Sequence, residues 1–246
     1  MINLDKLNFI VSNDRAKINK KYYAETKSKD GSISYYLDKD VIKHCIGINK
    51  ITANDFNTLI SVSGKILSNK HDLGLINKDN YKELFNKLNL SEVINIDSIP
   101  SKDIKVLACD VTKDIFVENV DKSLFGISKY LNVVSDKYFI QRHKDLSLFI
   151  QPYAKSRKDT LCLYRKYDEL IKHDFTDYLN IIGYDYLDQC KNLIRIERRL
   201  SSFKDIRNAF SINHSGDIYL NEILESDANP ITDKFKELTL TEEYLR

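Results

Sequence analysis

The segment LIRIERRL, residues 193–200, decides how this chain is read. Ile194 and Ile196 alternate with Arg195, Glu197 and Arg199. That period of two belongs to a β-strand with one apolar and one charged face, since successive side chains on a strand point to opposite sides. Working outward, TLCLYRK at 160–166 alternates in the same way, with Tyr164 and Lys166 opposite Leu163. Further upstream, IKVLACDVTKDIFV at 104–117 is an apolar strand carrying Asp110 and Asp114.

The remaining elements follow from periodicity and turn signals. Asp136 to Arg142 and Leu146 to Gln151 read as two strands of a meander, and NTLISVSGKIL at 57–67 as a strand running into a turn or helix start at Gly64. Ser32 to Leu37 and Val41 to Ile48 read as short β pieces. Helices are expected over Asn77 to Leu88, Lys122 to Tyr130, Phe203 to Phe210 and from Ile218 onward, with a helical, Asp- and Tyr-rich connection between 166 and 193. The expected class is α+β, with a central, mainly antiparallel sheet and helices inserted between the strands. One catalytic domain is expected over 1–246, its core at about 55–210, with 1–54 and 211–246 as extensions.

Composition narrows the function classes. With 246 residues, 42% hydrophobic and 30% charged, the chain suits a folded domain of ordinary size. A net charge of +2 neither requires nor excludes nucleic acid. The four cysteines (45, 109, 162, 190) contain no Cys-x-x-Cys pair and suggest neither a zinc site nor a disulfide framework. The start MINLDKLNFI lacks the pattern of a signal peptide, and no apolar run reaches membrane-spanning length, so a cytoplasmic protein without membrane contact is expected.

Asp110 and Asp114, Tyr164 with Lys166 and Glu169, and Arg195, Glu197 and Arg199 put charges on strand-like segments. Carboxylates bind hard cations such as Mg²⁺ or Mn²⁺, and guanidinium or ammonium groups bind phosphate oxygens. The plain alternative is a solvated sheet face with cross-strand salt bridges. Two stretches are basic: Gln141 to Lys158, which contains Tyr153, and Arg15 to Tyr23 (RAKINKKYY), which interleaves cations with aromatics as single-strand binders do, or is simply a solvated helix or loop.

In order and spacing, VLACDVTKD (106–114), LYRKYDEL (163–170) and LIRIERRL (193–200) resemble the replication initiators of filamentous phages, of the gene II protein type. They are more distantly similar to the staphylococcal rolling-circle plasmid initiators. Ala108 and Cys109 stand where that family carries an Arg before the Asp. The resemblance implies a nickase that starts rolling-circle DNA replication: a tyrosine attacks a DNA phosphodiester, stays on the 5′ end and frees a 3′ hydroxyl, assisted by a divalent metal, Mg or Mn. YAKS at 153–156 matches the family's Y-x-x-S context, which makes Tyr153 the expected nucleophile, with Lys166 as a further catalytic residue and Tyr164 and Tyr167 as rivals. Asp110 and Glu197 are the expected metal ligands, with Asp114 and Glu169 in reserve. Lys155, Arg157, Lys158, Arg195 and Arg199 are the expected DNA contacts.

No His-hydrophobic-His pair exists; the five histidines are isolated, and His143 reads as a surface residue or a single ligand. Expected partners are single-stranded or supercoiled DNA at a replication origin and a host helicase or polymerase, for a monomer or dimer. A non-catalytic DNA-binding replication or copy-control protein on the same fold is the first alternative, and a phage or plasmid interaction protein with solvated charged strands the second.

Overall fold

A computed structural model describes the chain except for residues 30, 132–137, 145–146, 154–158, 173–175 and 240–246. In chain order the elements are β1 (Leu4–Ser12), β2 (Ala16–Ile18), β3 (Tyr23–Lys27), β4 (Ile33–Leu37), α1 (Lys39–Lys43), β5 (Ile48–Ala53) and β6 (Asn57–Ser63). Then come α2 (Glu83–Leu90), β7 (Ile94–Ile96), β8 (Lys105–Phe116), α3 (Val120–Leu131), β9 (Tyr138–Arg142), β10 (Leu148–Pro152) and β11 (Thr160–Arg165). The chain continues with α4 (Lys166–Lys172), α5 (Thr176–Ile182), α6 (Tyr184–Gln189), β12 (Leu193–Leu200), α7 (Phe203–Phe210), α8 (Leu220–Leu224) and α9 (Pro230–Thr239). The fold is α+β and mainly antiparallel.

The chain condenses into two compact units, and the boundary falls inside β8, at Cys109 and Asp110. In the first unit the strands run in the order β3-β4-β5-β6-β1, followed by the first part of β8. Leu7, Phe9 and Val11 of β1 lie opposite Val62, Ile60 and Thr58 of β6 and are buried, which makes this the core face. A small β2–β7 pair and α2 complete the unit, α2 burying Leu84, Phe85 and Leu88. Gly74 sits at φ +64, where the Gly64 carbonyl oxygen would lie 2.4 Å from any Cβ, so only glycine fits.

The second unit takes the rest of β8, then β12, β11, β10 and β9. Val117 N donates to Asn192 O and Asp114 meets Arg195, so β8 and β12 run antiparallel. Leu163 lies opposite Ile196 and Leu148, and Leu161 opposite Ile150; all five are buried. The opposite face carries Tyr164 across from Arg195, Cys162 across from Glu197 and Phe149, and Thr160 across from Arg199. The period of two in LIRIERRL therefore sorts the side chains as the sequence predicts.

Three local expectations differ from the structure. Val41 to Ile48 is not a strand: Asp38 Oδ1 accepts from Asp40 N at 2.7 Å and starts α1, and only Ile48 begins β5. The helix expected from Asn77 starts at Glu83, because Asn77 and Asn80 exchange side-chain to backbone bonds that hold 77–82 in turns. Lys166 is not on the strand with Tyr164: β11 ends at Arg165 and Lys166 opens α4. The structure adds β1, whose alternation Asp5 and Lys6 obscure in sequence.

Candidate functional site

The charged face of the second unit is ordered from β8 to β9. On β12, Arg195 is fully buried, and it donates through Nε to Asp114 Oδ1 at 2.8 Å and through Nη2 to Asp114 Oδ2 at 2.7 Å. This bidentate pair spends one of the two β8 carboxylates on holding the sheet together. Two residues along, Glu197 is 3% exposed. One carboxylate oxygen accepts from the Tyr164 hydroxyl; the other accepts from Arg199 Nη2 at 2.9 Å and from Arg199 Nε at 3.2 Å.

Alternation places Asp110 and Thr112 on the face of Asp114. Asp110 bears electrostatically on both Cys162 and Arg199, which puts it at the Glu197 end. Thr112 is buried, and its hydroxyl has no hydrogen-bond partner among the described residues. Burial pushes the Cys162 thiol up to about 12, so it stays a neutral thiol and not a nucleophile. Burial disfavours the charge on Arg199, but the Glu197 and Asp110 carboxylates outweigh it and hold Arg199 above its ordinary value.

Lys166 is buried on α4 and pairs with Glu169 at 2.7 Å, its ammonium 5.9 Å from the Tyr164 ring. Tyr153, 61% exposed, directly follows β10 and packs edge-on against Phe139 with centroids 6.3 Å apart. Phe139 lies opposite Gln151, so this contact sets Tyr153 on the charged face. From Glu197, Tyr153 is two strands across and four residues along, roughly 16 Å between backbones at the usual sheet spacings. The structure therefore gathers Asp110, Tyr164, Glu197 and Arg199 at one place, Asp114, Arg195, Lys166 and Glu169 toward one side of it, and Tyr153 at the sheet margin. Lys155, Arg157 and Lys158 lie outside the described residues.

Among the described residues, no three His, Cys, Asp or Glu side chains are grouped so as to hold a metal ion. Asp114, Glu169 and Glu197 are each paired with a cation, and Asp110 and Glu197 are the two carboxylates that bear on Arg199. Two carboxylates are a donor set of the kind Mg²⁺ takes, the other positions going to water and phosphate. In this arrangement Arg199 competes for one Glu197 oxygen.

Sequence reasoning missed a second group, on the apolar face. Asp159, just before β11, accepts from Arg198 Nε at 2.9 Å and Nη2 at 2.8 Å and from Lys234 Nζ at 3.1 Å. Arg198 also donates to the Pro230 carbonyl at 2.6 Å, and Lys234 to Tyr138 at 3.0 Å and to Glu237 at 3.1 Å. This network pins α9 to β9, β12 and Asp159. The sequence signal for it was Arg198 itself, a charge at an apolar-face position of β12.

Compared with protein-family models, with curated proteins and with solved structures, the chain matches none.

Proposed function

We propose that the protein nicks and rejoins single-stranded DNA at a replication origin, through a covalent tyrosyl–DNA intermediate, to start rolling-circle replication. The observation that carries this reading is the charged face of the second unit, where a buried carboxylate, Glu197, holds a phenol and a guanidinium at once. Tyr153 is the proposed nucleophile, since it is exposed, lies on the same face and is followed in sequence by Lys155, Arg157 and Lys158. Its oxygen bonds to phosphorus as the bond from phosphorus to the 3′ oxygen breaks; the phenolic proton leaves to solvent, and the 3′ oxygen takes one up. Arg199, with its side chain 40% exposed, is the cation on this face able to meet a phosphate. Arg195 is committed to Asp114 and contributes by fixing the sheet. A divalent cation bound by Asp110 and Glu197 would supply Lewis-acid polarisation of the scissile phosphate. Lys166 would act on Tyr164 from behind, through its charge near the ring.

Tyr164 is the competing nucleophile, because a carboxylate already accepts its hydroxyl proton. The test is cleavage of supercoiled plasmid carrying the origin of the replicon that encodes the protein, with Mg²⁺ or Mn²⁺ and with EDTA, comparing wild type, Tyr153→Phe and Tyr164→Phe. The expected result is metal-dependent nicking with a protein–DNA adduct, abolished in Tyr153→Phe. An adduct that survives in Tyr153→Phe and disappears in Tyr164→Phe moves the nucleophile. Absence of nicking with salt-dependent DNA binding turns the reading to a non-catalytic DNA-binding replication or copy-control protein. One observation favours that second reading: Asp114, Glu169 and Glu197 are each already neutralised by a cation.

A further inference from the structure

Charge is distributed unevenly along the chain. Residues 15–50 hold nine Lys and Arg against four Asp and Glu, a net +5 in a chain whose total is +2, so the remainder is −3. Within this segment Lys17, Lys20 and Lys21 are exposed, and among the described residues none of them forms a salt bridge. Two are instead held by neutral rings. Lys20 Nζ lies 4.6 Å from the centroid of the Tyr35 ring and donates to its hydroxyl at 3.0 Å; Lys21 Nζ lies 4.5 Å from the centroid of Tyr22. A tyrosine ring orients an ammonium without cancelling its charge, and each ammonium retains donors for an incoming anion. The nearest carboxylates, Glu25 by Lys20 and Glu92 by Lys21, act at longer range.

Directly beside these lysines is an open cavity of about 510 Å³, lined by Lys17, Ile18, Asn19, Asn89, Glu92, Ile94 and Asn95. That volume falls within the roughly 300–1,000 Å³ typical of ligand pockets. Two of its amides are stiffened from behind: Asn89 exchanges both its bonds with Ile96 (2.9 and 2.7 Å), and Asn19 donates to the Glu92 carbonyl at 3.2 Å. Asn95 is exposed at the rim. Amide side chains pair with base edges, and only an unpaired strand offers its base edges to such a cavity.

We infer that the first unit carries a binding surface for single-stranded DNA, in which Lys17, Lys20 and Lys21 take the phosphates and the cavity beside Asn95 takes a base. The choice of DNA rests on the nicking reading; the surface itself does not. It lies apart in sequence from every residue assigned to the charged face of the second unit.

The test is fluorescence anisotropy of the full chain with a labelled thymidine oligonucleotide of about 15 nucleotides, across a salt series, for wild type and for Lys17→Gln/Lys20→Gln/Lys21→Gln. The triple variant is expected to bind about tenfold or more weakly at low salt, and its slope of log affinity against log salt to fall by about 2, since each single-strand phosphate contact contributes about 0.7. Asn95→Ala is expected to weaken the oligonucleotide about threefold and to leave heparin binding unchanged. Unchanged affinity and slope in the triple variant overturn the proposal. Equal affinity for the matching duplex or for heparin overturns the single-strand assignment, and tighter binding of the uridine oligonucleotide overturns the choice of DNA. Plasmid nicking is read separately, so a protein that binds here without cleaving sinks the nicking reading and not this one.

Discussion

The two units put the same kinds of charged side chain to opposite uses. In the second, Arg195, Arg198, Lys166 and Lys234 are buried, and each meets a carboxylate at hydrogen-bond distance. In the first, Lys17, Lys20 and Lys21 stand in solvent, Lys20 and Lys21 against tyrosine rings, and none forms an ion pair among the described residues. A charge removed from water must be paired, because its desolvation costs several kcal/mol. A charge left in water and unpaired contributes little to folding and remains available to a polyanion, whose released counterions drive association. The same residue types thus hold the second unit together and, in the first, stay in solvent, as the proposed binding surface requires.

The largest effect expected from this contrast is at Asp159. Asp159→Ala leaves Arg198 buried without a counterion and Lys234 with Glu237 alone, and should cost about 3–5 kcal/mol, read as a lower urea midpoint at unchanged slope. A loss under about 1 kcal/mol would break the comparison. Asp114→Asn should cost less, about 2–3 kcal/mol, because the amide still accepts one of the two Arg195 bonds.

Acid titration sharpens the same point. Burial raises the Asp159 carboxyl, but Arg198 and Lys234 outweigh it and hold it below its ordinary value of 3.8. A depressed carboxyl means that the unfolded chain binds the extra proton first, so stability rises with pH across this window. The contribution is present above about pH 4 and is lost as pH falls through the folded value. Asp159→Asn should remove that part of the acid slope, and a wild-type slope retained in the variant would assign it to other carboxylates.

The smallest effect is expected in the first unit. Lys20→Gln/Lys21→Gln should leave the urea midpoint unchanged, since both side chains are exposed. A lowered midpoint would mean that the two lysines serve the fold, and the contrast between the units would fail.

The elements nearest the charged face were the most legible. β8, β9, β10, β11 and β12 stand where alternation and flanking polar stretches predicted them, and so does α7, whose Ser202 hydroxyl accepts from Asp205 N at 3.2 Å. Misreadings occurred where short polar side chains redirect the backbone. At 38–44 Asp38 caps a helix, and at 77–82 two asparagines hold turns; a hydrophobic pattern carries neither signal. Lys166 was placed one residue too far along its strand, and that single step moves a side chain from a sheet face to a buried helix start.

The sequence by itself determined which residues share a face, because the side-chain period of a strand is a local property of the backbone. It separated Arg195, Glu197 and Arg199 from Ile194 and Ile196 before any fold was known. Only the tertiary structure decided which charge meets which. Asp114 is 81 residues from Arg195, Asp159 is 39 from Arg198 and 75 from Lys234, and no local rule links them. Ion pairing depends on distances of a few ångströms between strands and helices far apart in the chain, and only packing sets those distances.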